Sequence, residues 1–361
     1  MRMLHLYLVR RFLFWFAAVA LALGLLLSIV NLIELLRRAA GRADMDFALV
    51  TEISLLKLPV LLQEALPFIV LFAALAAFWR LSRFQEITLM RAAGLSVWGI
   101  LLPPLAAAFM LGILQITLLG PFSALFQEKF DALEAAYLKR VESRLAVSGT
   151  GIWMRQGHAE GQVVIHARGL REDGAVLDGV SIFLFDGDNR FLQRVDGAQA
   201  TLQPGGWLVA DGYSLRADGR AAPVRDYVLP TGITPAGIRE GLPSPRALSV
   251  WRLPGYIADL DQAGFNTRPY RLQLHAVMSQ PLILCAMVLA AAAFSLRSAR
   301  RARLGGALAG GLFCGFLLYI LAEVIHALGL STTLPLFLAA WAPAGISLML
   351  GLTALLYLED M

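Results

Sequence analysis

The run FLFWFAAVALALGLLLSIVNLI, residues 12–33, decides the fold. It carries no charged side chain. As a helix rising about 1.5 Å per residue it crosses the roughly 30 Å hydrocarbon core of a bilayer. It is longer than the apolar core of a signal peptide, which runs to about 15 residues, and no small-residue cleavage site follows it. It is therefore expected to stay in the chain as a first transmembrane helix. Five further runs satisfy the same length criterion, at about 53–79, 97–121, 272–296, 305–328 and 336–357. Composition agrees: 58% of the 361 residues are hydrophobic and 16% charged, against about 25% charged in soluble domains. The fold class is a polytopic α-helical membrane protein with six transmembrane helices.

The net charge of +5 raises the question of nucleic acid. The arginines, however, sit in short clusters beside apolar runs, which is charge that sets membrane topology rather than a basic face, so no nucleic-acid binding is expected. Arg2, Arg10 and Arg11 precede the first helix, Arg80, Arg83 and Arg91 follow the second, and Arg297, Arg300, Arg301 and Arg303 follow the fourth. With these in the cytoplasm, both termini are cytoplasmic, including Glu359 and Asp360, and the long insert between helices 3 and 4 is extracytoplasmic. Arg37, Arg38 and Arg42 then fall on the outer side, against the rule. Cys285 and Cys314 lie within apolar runs and read as small hydrophobes.

The insert, at about 145–245, differs in pattern from its flanks. Short alternating runs (Gln162 to His166, Val180 to Phe185, Trp207 to Val209) are separated by Asp186-Gly187, Asp196-Gly197, Gly205-Gly206, Asp211-Gly212 and Asp218-Gly219, all read as turns. This predicts an all-β domain of sandwich or jelly-roll type. Leu253, Ile257 and Leu260 then mark a short amphipathic helix ended by Gly264. Before the insert, residues 122–141 keep a helical pattern but are polar, so the third helix is expected to project out of the bilayer. The division is 1–140 (helices 1–3), 141–248 (β domain) and 249–361 (the short helix and helices 4–6).

Three places could carry function. In Ser82-Arg83-Phe84-Gln85-Glu86-Ile87-Thr88-Leu89-Met90-Arg91-Ala92-Ala93-Gly94 the Ser82/Gln85 spacing is that of a capping box and Gly94 is a stop signal. A short helix over 82–94 places Phe84, Ile87 and Met90 on one face, with Arg83, Glu86 and Arg91 elsewhere. It either plugs into a partner's groove or lies along the interface. At the end of helix 1, Asn31, Glu34, Arg37 and Arg38 recur at three- and four-residue spacing. They suit phosphate groups, or else the arginines snorkel with Glu34 as internal partner. Glu64 is an intramembrane carboxylate that Gln63 or another helix could satisfy. Glu323 and His326 lack a third metal ligand and read as an interhelical hydrogen bond, while His158, His166 and His275 are isolated. The sequence has no HExxH, G-x-S-x-G or Walker A motif, so no catalytic residue, metal or cofactor is expected. If ATP drives this protein, another subunit hydrolyses it.

In their order along the chain, Leu32-Ile33-Glu34-Leu35-Leu36-Arg37-Arg38, Glu86 to Gly94, Gly206-Trp207-Leu208-Val209-Ala210-Asp211-Gly212, Tyr270-Arg271 through Ser279-Gln280-Pro281-Leu282, Leu334-Pro335 and Ala339-Ala340-Trp341-Ala342-Pro343 resemble the lipopolysaccharide-export permeases, the LptF/LptG (YjgP/YjgQ) family. The resemblance covers essentially the whole chain, and the Glu34 to Arg38 and Ala-Trp-Ala-Pro pieces are more similar to the LptG branch than to LptF. It implies a non-catalytic half-transporter of the bacterial inner membrane that pairs with an LptF paralogue, sits on a dimer of the ATPase LptB and accepts LptC. Lipopolysaccharide would pass from membrane lipid through the periplasmic β-jellyroll toward the LptA bridge. The resemblance further implies that Arg83, Phe84, Glu86, Ile87, Met90, Arg91 and Gly94 belong to the ATPase-coupling helix, with Glu86 at the acidic contact. Asn31, Leu32, Glu34, Arg37 and Arg38 would face lipopolysaccharide, with Leu32 and Ile33 at a lateral gate. Some relatives carry lysine at the position of Asn31, which shifts phosphate recognition here toward the arginines. A contrasting reading of the same residues is a mechanotransmitting scaffold that relays ATPase motion without moving lipid.

Overall fold

The computed structural model describes residues 2–40, 46–134, 137, 143–148, 151–158, 161–171, 175–188, 190–231, 242–299, 304–331 and 333–359. Arg42, Arg300, Arg301, Arg303 and Asp360 lie outside them, as do the side chains of Arg297, His158 and Glu359. The chain divides into two compact units, one of Met1–Leu138 with Arg271–Met361 and the other of Lys139–Tyr270.

Among the described residues six helices are long and apolar enough to cross a membrane. They begin with α1 (Arg2–Ala39) and α2 (Phe47–Arg83), followed by the short α3 (Glu86–Ala92). The third span runs through α4 (Val97–Leu114), a π turn (Gln115–Leu119) and α5 (Gly120–Leu133). The span totals 37 residues, about 56 Å at 1.5 Å per residue. It therefore exceeds the roughly 30 Å core, as the polar continuation of its sequence predicts. Pro59 and Pro67 in α2 and Pro103 and Pro104 in α4 sit inside helices, which neighbouring helices in a membrane bundle tolerate.

The apolar sides of these helices meet in one core. Phe12 of α1, Leu71, Leu75 and Phe78 of α2, and Leu101 of α4 belong to it, with Leu284 and Val288 from the fourth span. Lipid tails are as apolar as leucine, so close packing rather than the hydrophobic effect holds such helices together. Glycines supply it on the fifth span: a Cβ at Gly311 would lie 2.6 Å from Leu75 Cδ1, and one at Gly315 2.4 Å from Leu71 Cδ2. These two positions are four apart, the small-xxx-small spacing that lets two helices approach.

The described residues of the second unit form a β-sheet followed by a 3-10 turn (Pro245–Ala247) and a short α-helix. Its seven strands are β1 (Ser143–Ser148), β2 (Gly151–His158), β3 (Gly161–Arg171), β4 (Val176–Asp186), β5 (Phe191–Gln203), β6 (Gly206–Arg216) and β7 (Ala221–Pro230). The sequence leaves strand order open; the structure makes it a continuous antiparallel meander, β1-β2-β3-β4-β5-β6-β7. Alternation sends Ile152, Met154, Val163, Ile165, Ile182, Val195 and Trp207 to one buried face.

The following helix, α6 (Leu253–Gln262), ends in a Schellman motif, with Gly264 N–H donating to Asp261 O and Phe265 N–H to Leu260 O. Its end belongs to the β unit rather than to the later spans with which the sequence pattern groups it. Leu170 N–H donates to Ala263 O at 2.8 Å, and Ala263 and Phe265 pack into the β core. The remaining spans are α7 (Arg268–Ala299), α8 (Leu304–Leu330) and α9 (Leu336–Glu359).

Two of the five turns expected from Asp-Gly and Gly-Gly pairs are not turns. Asp196-Gly197 and Asp211-Gly212 lie inside β5 and β6, where Gly197 and Gly212 are cross-strand partners. Close approach, not chain reversal, demands glycine there: a Cβ at Gly197 would meet Val209 Cγ1 at 2.4 Å, and one at Gly212 would meet Asp196 O at 2.4 Å.

Gly315→Leu should force α2 and α8 apart. A loss of about 1–3 kcal/mol is expected for such overpacking, read as a lower midpoint in denaturant unfolding of the detergent-solubilised chain. Gly345→Leu, with open space at the Cβ position, is the control that should leave the midpoint in place.

Candidate functional site

The two sequence clusters of interest lie at opposite ends of α1. At its N-terminal end is α3. Its sequence-predicted start is wrong by four residues: Ser82 belongs to the last turn of α2, and α3 begins at Glu86 after Gln85 in a left-handed conformation, φ 58. Gln85 caps nothing with its side chain; its Oε1 accepts instead from Thr88 Oγ1. The side-chain N-cap in this region is Ser96, whose Oγ accepts from Gly99 N–H to start α4. The stop signal is correctly read. Gly94, φ 87, closes a Schellman motif in which its N–H donates to Arg91 O and Leu95 N–H to Met90 O.

The face shared by Phe84, Ile87 and Met90 is not formed. Ile87 and Met90 are buried in the core that contains Leu8, Phe12 and Leu81, whereas Phe84 is 59% exposed. The reason is the shifted start: Phe84 caps α2 and so precedes the helical phase of α3. The outward surface is made instead by Arg83, Phe84, Thr88, Leu89 and Arg91, and Leu89, given no role from the sequence, is its most exposed apolar residue at 68%. Arg83 lies over the Trp79 ring and Arg80 over Phe84, each at 5.3 Å. Glu86 is half-buried, and its Oε2 accepts a hydrogen bond from Tyr7 Oη at 2.8 Å. Tyr7 escapes sequence reasoning because its partner lies 79 residues away and no local spacing links them.

At the C-terminal end of α1, Asn31 is buried and faces α2, donating to Ser54 Oγ at 3.0 Å. It is thus a helix-packing residue and is not brought together with the charged cluster. Leu32 is half-buried against Leu35, Val50, Ile53 and Phe130, while Ile33 stands 60% exposed. Glu34 uses both carboxylate oxygens on the cluster's arginines, with Oε2 at 2.8 Å from Arg37 Nη2 and Oε1 at 2.8 Å from Arg38 Nε. Glu134, on the outward continuation of the third span, adds a contact at 3.9 Å to Arg38 Nη1. Arg37 is the more open of the pair, its side chain 77% exposed. Two carboxylates thus face two guanidiniums, and the exposed Arg37 presents its remaining N–H donors outward, an arrangement suited to phosphate oxygens. Below it, Leu21, Leu25, Leu26, Ile29 and Val30 form an uncovered apolar stripe along α1.

Of the other residues singled out from sequence, Gln63 accepts from Ser123 Oγ at 2.5 Å and Glu64 lies on an exposed face of α2. Glu323 and His326 both lie on α8, and no group of three His, Cys, Asp or Glu that could hold a metal occurs among the described residues.

Residues 6–357 match the family model described as lipopolysaccharide export system permease LptF/LptG. The chain is 24% identical to the lipopolysaccharide export system permease protein LptG of Escherichia coli K12, over 94% of this chain and 95% of that one. It is 22% identical to the protein of the same name from Haemophilus influenzae, over 88% of each.

Tyr7→Phe removes one hydrogen bond to a carboxylate and leaves the apolar anchors Ile87 and Met90. The amides of residues 86–92 should then exchange with solvent on the order of tenfold faster, measured by hydrogen–deuterium exchange. Unchanged exchange would show that the apolar anchors alone hold the helix.

Proposed function

We propose, since this chain belongs to the lipopolysaccharide export system permease LptF/LptG family, that it is the LptG-type half of an ATP-driven exporter that lifts lipopolysaccharide out of the inner membrane. Six membrane helices and a large antiparallel β domain between the third and fourth make up its architecture, and a multi-pass inner-membrane permease is what the family supplies. The finer reading places both termini and α3 in the cytoplasm and the β unit in the periplasm. The observation that carries it is the build of α3. A helix of seven residues cannot stand alone in water, yet this one is fastened from behind by Ile87 and Met90 while Phe84, Leu89 and Arg91 face outward. Such a surface is suited to a groove on a soluble partner.

The partner is a dimer of the ATPase LptB, because the chain lacks the Walker A sequence needed to hold ATP phosphates. ATP-driven movement of that groove would displace α3 and, through Tyr7 and Glu86, the base of α1. At the other end of the same helix the exposed Arg37 and Arg38 meet the phosphates of the glycolipid, and Ile33 with the apolar stripe below it meets acyl chains. The LptF paralogue completes the cavity, LptC joins beside it, and the β unit passes the lipid toward LptA. In this scheme the chain performs no bond chemistry; it positions charge and transmits motion.

Glu86→Ala or Leu89→Glu should abolish co-purification of the ATPase from cells expressing the whole complex, while Thr88→Ala should leave it. An ATPase that stays bound to both disruptive variants would remove the coupling role from α3. Photocrosslinkers placed at Ile33 and Arg37 should capture lipopolysaccharide in membranes. Adducts at neither position, in a complex that hydrolyses ATP normally, would favour a scaffold that moves no lipid.

A further inference from the structure

The two Asp-Gly pairs that fail to turn sit beside a cleft of about 780 Å³ on the face of the sheet opposite its apolar core. Asp and Gly are disfavoured inside strands, and Gly there costs roughly 0.5–1 kcal/mol against Ala. Interior glycines often mark a bend or a place where something approaches the backbone closely. Gly179, φ 58, adds a third on β4, with Arg168 lying where its Cβ would be. Gly179, Gly197 and Gly212 line the cleft together with Val180 and Ala198.

Its walls are polar and aromatic. One row of cross-strand partners runs Trp153, His166, Ser181, Asp196, Tyr213 from β2 to β6. Ser181 Oγ donates to Asp196 Oδ1 at 2.6 Å, and Arg194 Nε donates to the same oxygen at 2.8 Å, so three half-buried groups lock one another in place. Arg194 also lies over the Phe183 ring at 5.3 Å. Arg168 from β3 and Arg225 from β7 flank this trio, Arg225 directly across from Asp211. Tyr213 stands 69% exposed at the rim, and the Trp153 and His166 rings pack at 4.3 Å between centroids, tilted by 41°.

Three guanidiniums against two carboxylates leave an excess of positive charge. Arginine forks recognise phosphate or carboxylate, carboxylates and hydroxyls recognise sugar hydroxyls, and an exposed aromatic ring covers the apolar face of a sugar. The volume lies within the roughly 300–1,000 Å³ of small-ligand sites. We infer that this cleft binds an anionic saccharide, a sugar chain carrying phosphate or carboxylate groups, outside the domain's apolar interior. It rests on the exporter reading only for the source of that saccharide: the headgroup of the transported glycolipid, or a free oligosaccharide of the same chemistry.

The test titrates the full chain in its detergent-solubilised complex, by calorimetry, with three probes: phosphorylated core oligosaccharide freed of its acyl chains, the same material after phosphatase treatment, and uncharged maltoheptaose. The phosphorylated probe should bind. Affinity should fall at least about tenfold on phosphatase treatment, in Arg168→Gln with Arg225→Gln, and in Tyr213→Ala. These side chains are exposed, and an unchanged unfolding midpoint verifies that the variants are folded. No binding, or equal binding of all three probes, overturns the site. Where the probe binds, a photocrosslinker at Tyr213 identifies the source: glycolipid adducts assign the headgroup, and their absence assigns a free saccharide. Adducts at Ile33 report separately on the exporter reading, which stands if they form while the cleft binds nothing.

Discussion

Within a bilayer every backbone N–H and C=O must find its partner inside the protein, and that constraint shapes the membrane unit. It makes each crossing a continuous helix and leaves side-chain packing to decide which helices touch. α2 carries most of that packing, with Val70, Leu71, Ala73 and Ala74 fully buried. It meets α1 through Asn31 and Ser54, the third span through Gln63 and Ser123, and α8 through the Gly311 and Gly315 notches. In lipid the polar pairs matter for register as much as for energy, each fixing the height at which two helices pass.

α1 is held more sparsely. Leu8 and Phe12 bury near one end, Asn31, Leu35 and Ala39 near the other, and much of the surface between lies open. Tyr7 and Arg38 are about 46 Å apart along one uninterrupted helix at 1.5 Å per residue. Between them one side of the helix stays packed, with Trp15, Phe16 and Val19 on the membrane core and Gly24 so close to α2 that a Cβ there would lie 3.2 Å from Leu62 Cδ2. The two clusters proposed for ATPase coupling and for lipid contact sit near the two ends of this one continuous helix.

Much of this was legible in the sequence because it rests on long-wavelength signals. Twenty apolar residues announce a span whatever their order, and alternating runs announce strands. The Gly94 and Gly264 stops were also readable, since a left-handed C′ residue is a local requirement. What failed depended on partners far along the chain. The Ser82/Gln85 spacing matches a capping box, but α2 runs through Ser82 and takes it as a helix residue. Asn31 reads as a neighbour of Glu34 until Ser54 claims it. Tyr7 carries no signal at all until Glu86 is placed beside it.

The Asp-Gly pairs carry the same lesson further. A turn and a close approach between strands both call for glycine, so the dipeptide cannot distinguish them; only the strand opposite can. At Asp218-Gly219 the neighbouring strand segments are those the turn itself connects, and reversal follows. At Gly197 and Gly212 the neighbour is another glycine, with Val209 filling the space a Cβ would need. On the cleft side Ser181, Arg194 and Asp196 are bonded to one another, and it is their mutual fixation that makes the cleft preorganised. A solvated arginine must surrender conformational freedom to grip an anion; Arg194, already held by Asp196 and Phe183, has less of it to lose.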